Sequence, residues 1–205
     1  MTIASALSPT TLLVATSNPG KLKEFQAMLD SSRYTLIPQD AQHIPPAEET
    51  GLTFIENALI KARAACLASG LPSLADDSGL VVPALGGAPG IYSARFAGKN
   101  ATDQENREKL LTQIQSVPMS QRQAFFYCAI VLVQSPNDPT PVIAQAAWHG
   151  VIANEPQGEN GFGYDRIFYI PSLNCTAAEL SPEEKNKLSH RAQALKHLKT
   201  CLKGL

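Results

Sequence analysis

Ser73-Leu74-Ala75-Asp76-Asp77-Ser78-Gly79-Leu80 places two adjacent carboxylates between an apolar run and a glycine. Its first residues read as a buried strand and the Ser78-Gly79 step as a turn. The expectation over 73–82 is therefore two short strand runs around an Asp-Asp turn. Paired carboxylates repel and resist burial, so they are a poor way to build a core. They are a good way to hold a divalent cation and orient a water. Hard oxygen donors without His or Cys suit Mg²⁺ rather than Zn²⁺. Mg²⁺ held by few carboxylates usually holds substrate phosphates as well. The alternative is a turn in which one carboxylate caps backbone N–H groups.

Upstream, Thr11 to Thr16 reads as a buried strand. Ser17-Asn18-Pro19-Gly20-Lys21 follows, with Asn18 as N-cap and Pro19 at the first helical position. Leu22, Phe25 and Leu29 then recur at helical spacing. A strand running into a helix N-terminus presents backbone N–H groups and a positive dipole end, which favours phosphate. Lys21 adds a charge. The G-x-x-x-x-G-K-[ST] spacing is missing, so this is no Walker A loop. An ordinary capped helix with a surface lysine fits the same residues.

Tyr34 to Pro38 offers a second strand. Thr53 and Glu56 form a capping box that opens a helix ending near Gly70. Glu48 and Glu49 sit on the loop before it, as candidate ligands or as solvated surface. Lys61 lies about two turns into that helix, either snorkelling or reaching into a cleft. Thr102 and Glu105 mark another capped helix, and Arg122–Val133 with Pro141–Ile152 read as a long hairpin. In the glycine-rich stretch up to Asp165, Phe162 and Tyr164 are candidates to stack on a planar base, and Gly163 lets backbone approach a ligand. Ile167–Ile170 is a last strand, and Ser181-Pro182 starts a C-terminal helical region. On one unbroken helix Lys185 and Arg191 diverge by about 120°. A break at Ser189, a natural N-cap, instead puts His190 and Arg191 in the first turn of a new helix. A solvated basic face is the remaining reading. This order of βα units and a hairpin predicts an α/β fold with a mixed sheet flanked by helices.

The chain has 205 residues, enough for one sizeable domain. Seventeen basic and 18 acidic residues leave a net charge of -1. With no basic excess, nucleic acid is not the expected partner. The longest apolar run, Ala124 to Val133, is roughly half a membrane helix, so no membrane partner is expected. The first ten residues lack a charged n-region and read as a flexible extension rather than a signal peptide. Residues 11–205 read as the folded domain. Cys66, Cys128, Cys175 and Cys201 are scattered, which suits reduced thiols in the cytoplasm.

Five stretches in this order resemble the inosine/xanthosine triphosphate pyrophosphatase family: ATSNPGKLKEF at 15–25, EETGLTFIENALIKA at 48–62, LADDSGLVVPALGGAPGIYSARFAG at 74–98, GENGFGYDRIF at 158–168 and AELSPEEKNKLSHRAQAL at 178–195. The resemblance implies an elongated two-lobed structure with a nucleotide cleft between the lobes. It implies hydrolysis of XTP, ITP and dITP to the monophosphate and pyrophosphate. Thr16 to Lys21 would cradle the triphosphate, with Asp77 as proton acceptor. Glu48 or Glu49, with Asp76 and Asp77, would hold Mg²⁺. Ser78 would touch substrate. Phe162, Gly163, Tyr164, Asp165 and Lys185 would line the pocket, and His190 and Arg191 would meet the purine. A homodimer is also implied, with Trp148 and the hairpin as interface or core. Ser17, Asn160 and Arg166 depart from the common pattern without removing a chemical group the reaction needs.

On this reading Lys21, Lys61 and Lys185 supply positive charge to the phosphates. A charged His190 and Arg191 would donate to the 6-oxygen of hypoxanthine or xanthine and reject the 6-amino group of adenine. Two other classes fit part of the pattern: a nucleotide-binding regulator without hydrolysis, and an Mg²⁺-dependent NTPase releasing single phosphates. The intact Asp76-Asp77 pair weighs against the regulator.

Overall fold

The computed structural model describes residues 9–31 and 33–203. Residues 1–8 of the expected flexible extension lie outside them. Thr10, the end of that expected extension, already belongs to the first strand.

One seven-stranded mixed sheet organises the chain, in the order β2-β1-β3-β4-β5-β6-β7. Its strands are β1 (Thr10–Val14), β2 (Tyr34–Pro38), β3 (Ser73–Val81), β4 (Gln123–Val133), β5 (Val142–Ile152), β6 (Phe168–Ile170) and β7 (Cys175–Thr176). The helices are α1 (Pro19–Met28), α2 (Phe54–Ser69), α3 (Asp103–Ile114), α4 (Pro182–Leu188) and α5 (His190–Lys203). β1 pairs in parallel with β2 and β3, and the remaining pairs are antiparallel. The expected α/β class, with a mixed sheet flanked by helices, is what forms.

The Asp-Asp turn does not form. Residues 73–81 are one strand, paired without interruption to β4 from Ser73↔Val133 to Val81↔Phe125. β3 lies inside the sheet, and the charge of its two acids is balanced by cations from distant helices. Pattern reading along 73–82 could not see those partners.

Local signals held where the physics is local. Asn18 Oδ1 accepts from the N–H groups of Gly20 (2.9 Å) and Lys21 (3.1 Å), and Pro19 opens α1. Thr102 and Glu105 form the full capping box of α3. At α2 the box is incomplete: Thr53 caps Glu56 N–H, but the Glu56 carboxylate takes the N–H of Leu52. Ser189 adopts an extended ψ of 158° and breaks the C-terminal region into α4 and α5.

The core has three parts. α1 and α5 pack on one face of the sheet through Phe25, Leu195 and Leu198 against Leu74, Cys128 and Ile130. α2 packs through Ala58, Ala62 and Ala65 on the other face, against Ala75 and Val131. The third joins Phe126, Trp148 and Phe168, whose rings lie 4.6–6.4 Å apart. Each buried aromatic contributes about 1.5–3 kcal/mol of transfer energy. Trp148 is therefore core. Cys66 and Cys128 are buried free thiols, and burial pushes that of Cys128 up to about 12. No described helix is long and apolar enough to cross a membrane.

Candidate active site

Side chains alternate across a strand, so Asp76 and Asp77 point to opposite faces of β3. Two separate charge clusters result. They meet a single cleft of ≈ 330 Å³, a size suited to a small-molecule ligand.

Asp77 faces α2. Its Oδ1 lies 2.8 Å from Lys61 Nζ, which is also 2.8 Å from Glu49 Oε1. Arg95 Nη1 lies 3.2 Å from Glu49 Oε2. Asn57, fully buried on α2, donates to Asp77 Oδ2 (3.5 Å) and accepts the Gly51 N–H at 2.8 Å. The alanine face of α2 lets the helix approach β3 closely, which brings Lys61 and Asn57 onto Asp77. Burial raises the Asp77 carboxyl, and Lys61 opposes that without cancelling it, so Asp77 ends above the ordinary carboxylate value. Burial also acts on Glu49, but Lys61 and Arg95 override it and hold Glu49 below its ordinary value. Two acids on one lysine thus have separated proton affinities, the usual arrangement for dividing acid–base work.

Asp76 faces α1 and α5. Its Oδ2 meets Lys21 Nζ at 3.0 Å, Arg191 Nη2 at 3.2 Å and the Ser78 hydroxyl at 3.1 Å. Burial would raise it, but Lys21 and Arg191 hold it far below the carboxylate range. Arg191 is 1 % exposed and also binds Glu24 and, through Nη2, the Ser78 hydroxyl at 2.9 Å. Lys185 Nζ lies 2.6 Å from Asp165 Oδ2 and 3.8 Å from Glu24. The break at Ser189 makes this possible: it turns α5 so that His190 and Arg191 begin a new helix beside Lys185.

The structure brings Thr16, Ser17, Asn18, Lys21, Glu49, Lys61, Asp77, Ser78, Phe162 to Asp165, Lys185, His190 and Arg191 to the cleft wall. Pro19 and Gly20 do not line it. Gly20 packs under Phe162, whose ring lies 3.2 Å from where a Gly20 Cβ would be. The first-turn amides expected to be open to phosphate are taken by Asn18. Asp76 stands behind Lys21 and Arg191 rather than beside Asp77, so the adjacent acids do not form a joint metal site. Glu48 is exposed and is not on the cleft wall.

His190 also differs from expectation. It is buried, stacked on Phe126 at 4.9 Å between centroids, with Nδ1 unpartnered. Burial, then the charges of Arg191 and Lys185, push it well below its ordinary value, so it is neutral. A neutral imidazole offers one donor and one acceptor. It does not impose the donor-only face that a charged ring would.

Sequence reading missed Glu24, Asn57 and Arg95. Glu24 carried a signal: it lies three residues after Lys21, on the same face of α1. Asn57 was a lone amide within an alanine-rich face. Arg95 carried none.

The hard-oxygen pair Glu49 and Asp77 converges on one ammonium, so one cation already bridges these carboxylates. Among the described residues no group of three or more His, Cys, Asp or Glu could hold a metal ion. A two-carboxylate set matches Mg²⁺, which completes its coordination with water and phosphate.

Comparison with known proteins shows the family and the fold. The Ham1 family model matches residues 12–201. A dITP/XTP pyrophosphatase of Photorhabdus laumondii is 54% identical over 193 residues, covering 94% of this chain and 98% of that protein. One from Coxiella burnetii is 52% identical over 191 residues, covering 93% and 96%. Among solved structures, a HAM1 protein from Coxiella burnetii superposes with a TM-score of 0.90 at 51% identity, covering 96% of this chain and all of the other. The Ham1 protein of Staphylococcus aureus gives 0.85 at 41% identity, covering 95% and 99%.

Proposed function

We propose that this chain, which belongs to the Ham1 family, hydrolyses the non-canonical purine nucleotides ITP, dITP and XTP in its cleft to the monophosphate and pyrophosphate. Such turnover keeps these nucleotides out of DNA and RNA. The observation that carries the reading is Asp77. It is a buried carboxylate 2.8 Å from Lys61, on a cleft wall that also carries Lys21 and Lys185.

Asp77 holds an attacking water and takes its proton. Its raised affinity brings it nearer to the pH at which a base works best. Lys61, held by Glu49 and Asp77, and Lys21, held by Asp76, are placed to bind phosphate oxygens. Asp77 and Glu49 would hold Mg²⁺, with Glu48 beside Glu49 in sequence. When bound, the ion would neutralise charge on the phosphates and the leaving pyrophosphate. The aromatic ring of Phe162, 37 % exposed at the cleft, covers the base. Arg191 and His190 close the inner end, with Arg191 the obligate donor and His190 a neutral donor and acceptor.

The chain from Thr10 onward acts as one two-lobed domain, in a cytoplasmic homodimer. Free thiols among the described residues support the compartment, and the family resemblance supports the dimer. Gel filtration with light scattering tests the latter.

The central test is product identity. Purified protein with ITP, XTP or a standard NTP plus Mg²⁺ should release monophosphate and pyrophosphate from ITP and XTP. Orthophosphate as the only product would sink the reading in favour of a general NTPase. No turnover of any nucleotide would favour a binding module.

A further inference from the structure

The loop that carries Phe162 and Tyr164 is held by α3, from Asp103 at the edge of the cleft and Arg107 behind it. Gly163 sits at φ +60° with both of its backbone polar groups taken by α3. Its N–H donates to Asp103 Oδ2 at 2.6 Å, and its carbonyl accepts from Arg107 Nη1 at 2.7 Å. Asp103 and Arg107 are four apart, so one helix face presents both groups to one residue. Asp103 lies in the first turn of α3.

α3 is itself fixed. Asn106, buried on the same helix, accepts the Ala97 N–H at 2.7 Å and donates to the Ala94 carbonyl at 3.2 Å. The 90–97 segment it holds carries two further links. Ser93 accepts the β3 Leu80 N–H at 2.9 Å, and its carbonyl accepts the Tyr164 hydroxyl at 2.9 Å. A continuous set of hydrogen bonds thus runs from β3 through residues 90–97 and α3 to the loop.

We propose that Asp103 and Arg107 are positioning residues that clamp the Gly163 peptide and so set the Phe162 ring over the base of the bound nucleotide. The inference rests on reading residues 162–165 as the base-binding loop. The inner face of that loop is anchored separately, by Lys185 on Asp165 and by the Phe162 N–H on the same carboxylate at 2.9 Å. Loss of the outer clamp therefore loosens Phe162 and Gly163 without removing Asp165. The phosphate end of the cleft, built on α1, α2 and β3, does not depend on the clamp.

The test compares a ligand with a base and one without. Michaelis constants for ITP are measured beside inhibition constants for inorganic tripolyphosphate, for wild type, Arg107→Ala, Arg107→Lys, Asp103→Ala and Asp103→Asn. Each alanine variant should raise the KM for ITP about tenfold, the scale of one charge-assisted hydrogen bond. It should leave kcat within about twofold and the tripolyphosphate constant unchanged. Arg107→Lys and Asp103→Asn, which keep a donor and an acceptor, should recover most of the affinity. An unchanged KM in both alanine variants overturns the proposal. So does an equal loss for both ligands with a lowered Tm, which marks a merely structural role. Failure of the nucleotide reading itself would show in wild type, as no ITP turnover, before any variant is compared.

Discussion

Asp76 and Asp77 are neighbours in β3, yet their carboxylates lie on opposite faces of the sheet, one against Lys21 and Arg191 and the other against Lys61. The charge repulsion that made the pair conspicuous in the sequence is relieved by this separation. Each acid has its own cation, and each has a different job. Asp77 → Asn should lower kcat by roughly 10²–10⁴ as the base is lost, with Tm close to wild type. Asp76→Asn should act first on folding. It leaves Arg191 and Lys21 without their shared partner in a buried setting, a change that costs about 3–5 kcal/mol. Paired melting and steady-state measurements on the two variants check the division, and similar losses of kcat without any change in Tm would refute it.

The same face of β3 sets the pH response. Burial holds Asp77 above the ordinary carboxylate value while Lys61 pulls it down. Ionised Asp77 is the active base, so kcat should rise with pH through that raised value and then level. Removing the Lys61 charge takes away the downward pull. Lys61→Met should therefore move the acid limb of kcat to higher pH, as well as raising KM. A pH–rate profile for both proteins measures the displacement; an unmoved or more acidic limb contradicts the assignment.

How much of this was legible beforehand follows from the range of the interactions. The Asn18-Pro19 helix start, the Thr102–Glu105 box and the Ser189 break are fixed within four residues; the sequence showed the first two and held the third among its alternatives. The continuity of β3 depends on Lys21 and on Arg191, the latter 115 positions from Asp76, and no local pattern encodes that. The neutral state of His190 depends on the Phe126 stack and on the charges of Arg191 and Lys185 beside it. A sequence shows only that a histidine is present. Unusual residue types in core-forming segments marked several cleft residues as candidates, and the resemblance to a known family supplied the site set. Glu24, Asn57 and Arg95 escaped because each works by holding another residue.

His190 makes stability depend on pH. Its folded value lies well below the ordinary 6.5, mainly through burial. Below about pH 6.5 the unfolded chain binds a proton that the folded chain refuses, so the unfolded state is favoured. The contribution of neutral His190 is fully present above that pH and is lost as pH falls toward the folded value. His190→Gln keeps hydrogen-bonding capacity without the titration. Between pH 7 and 5 its Tm should fall less steeply than that of wild type, and parallel slopes in thermal melts would rule out this source.

Gly158 makes the last prediction, because it fixes where the base loop begins. Its φ is +76°, and a Cβ there would lie 2.4 Å from the Ala178 carbonyl carbon. The strain is in backbone, not in a side chain that could swing away. Gly158→Ala combines a left-handed conformation that side chains disfavour with a contact that forces the Ala178–Glu179 backbone and the loop apart. A cost of about 1–3 kcal/mol is expected from the overpacking. The displacement should pass along the loop through Asn160, whose N–H bonds the Ala178 carbonyl at 2.9 Å. Hydrogen exchange should quicken at the amides of Asn160 and Phe162, and KM for ITP should rise more than kcat falls. Unchanged exchange at those amides would mean that the loop is held by Asp165 and α3 alone.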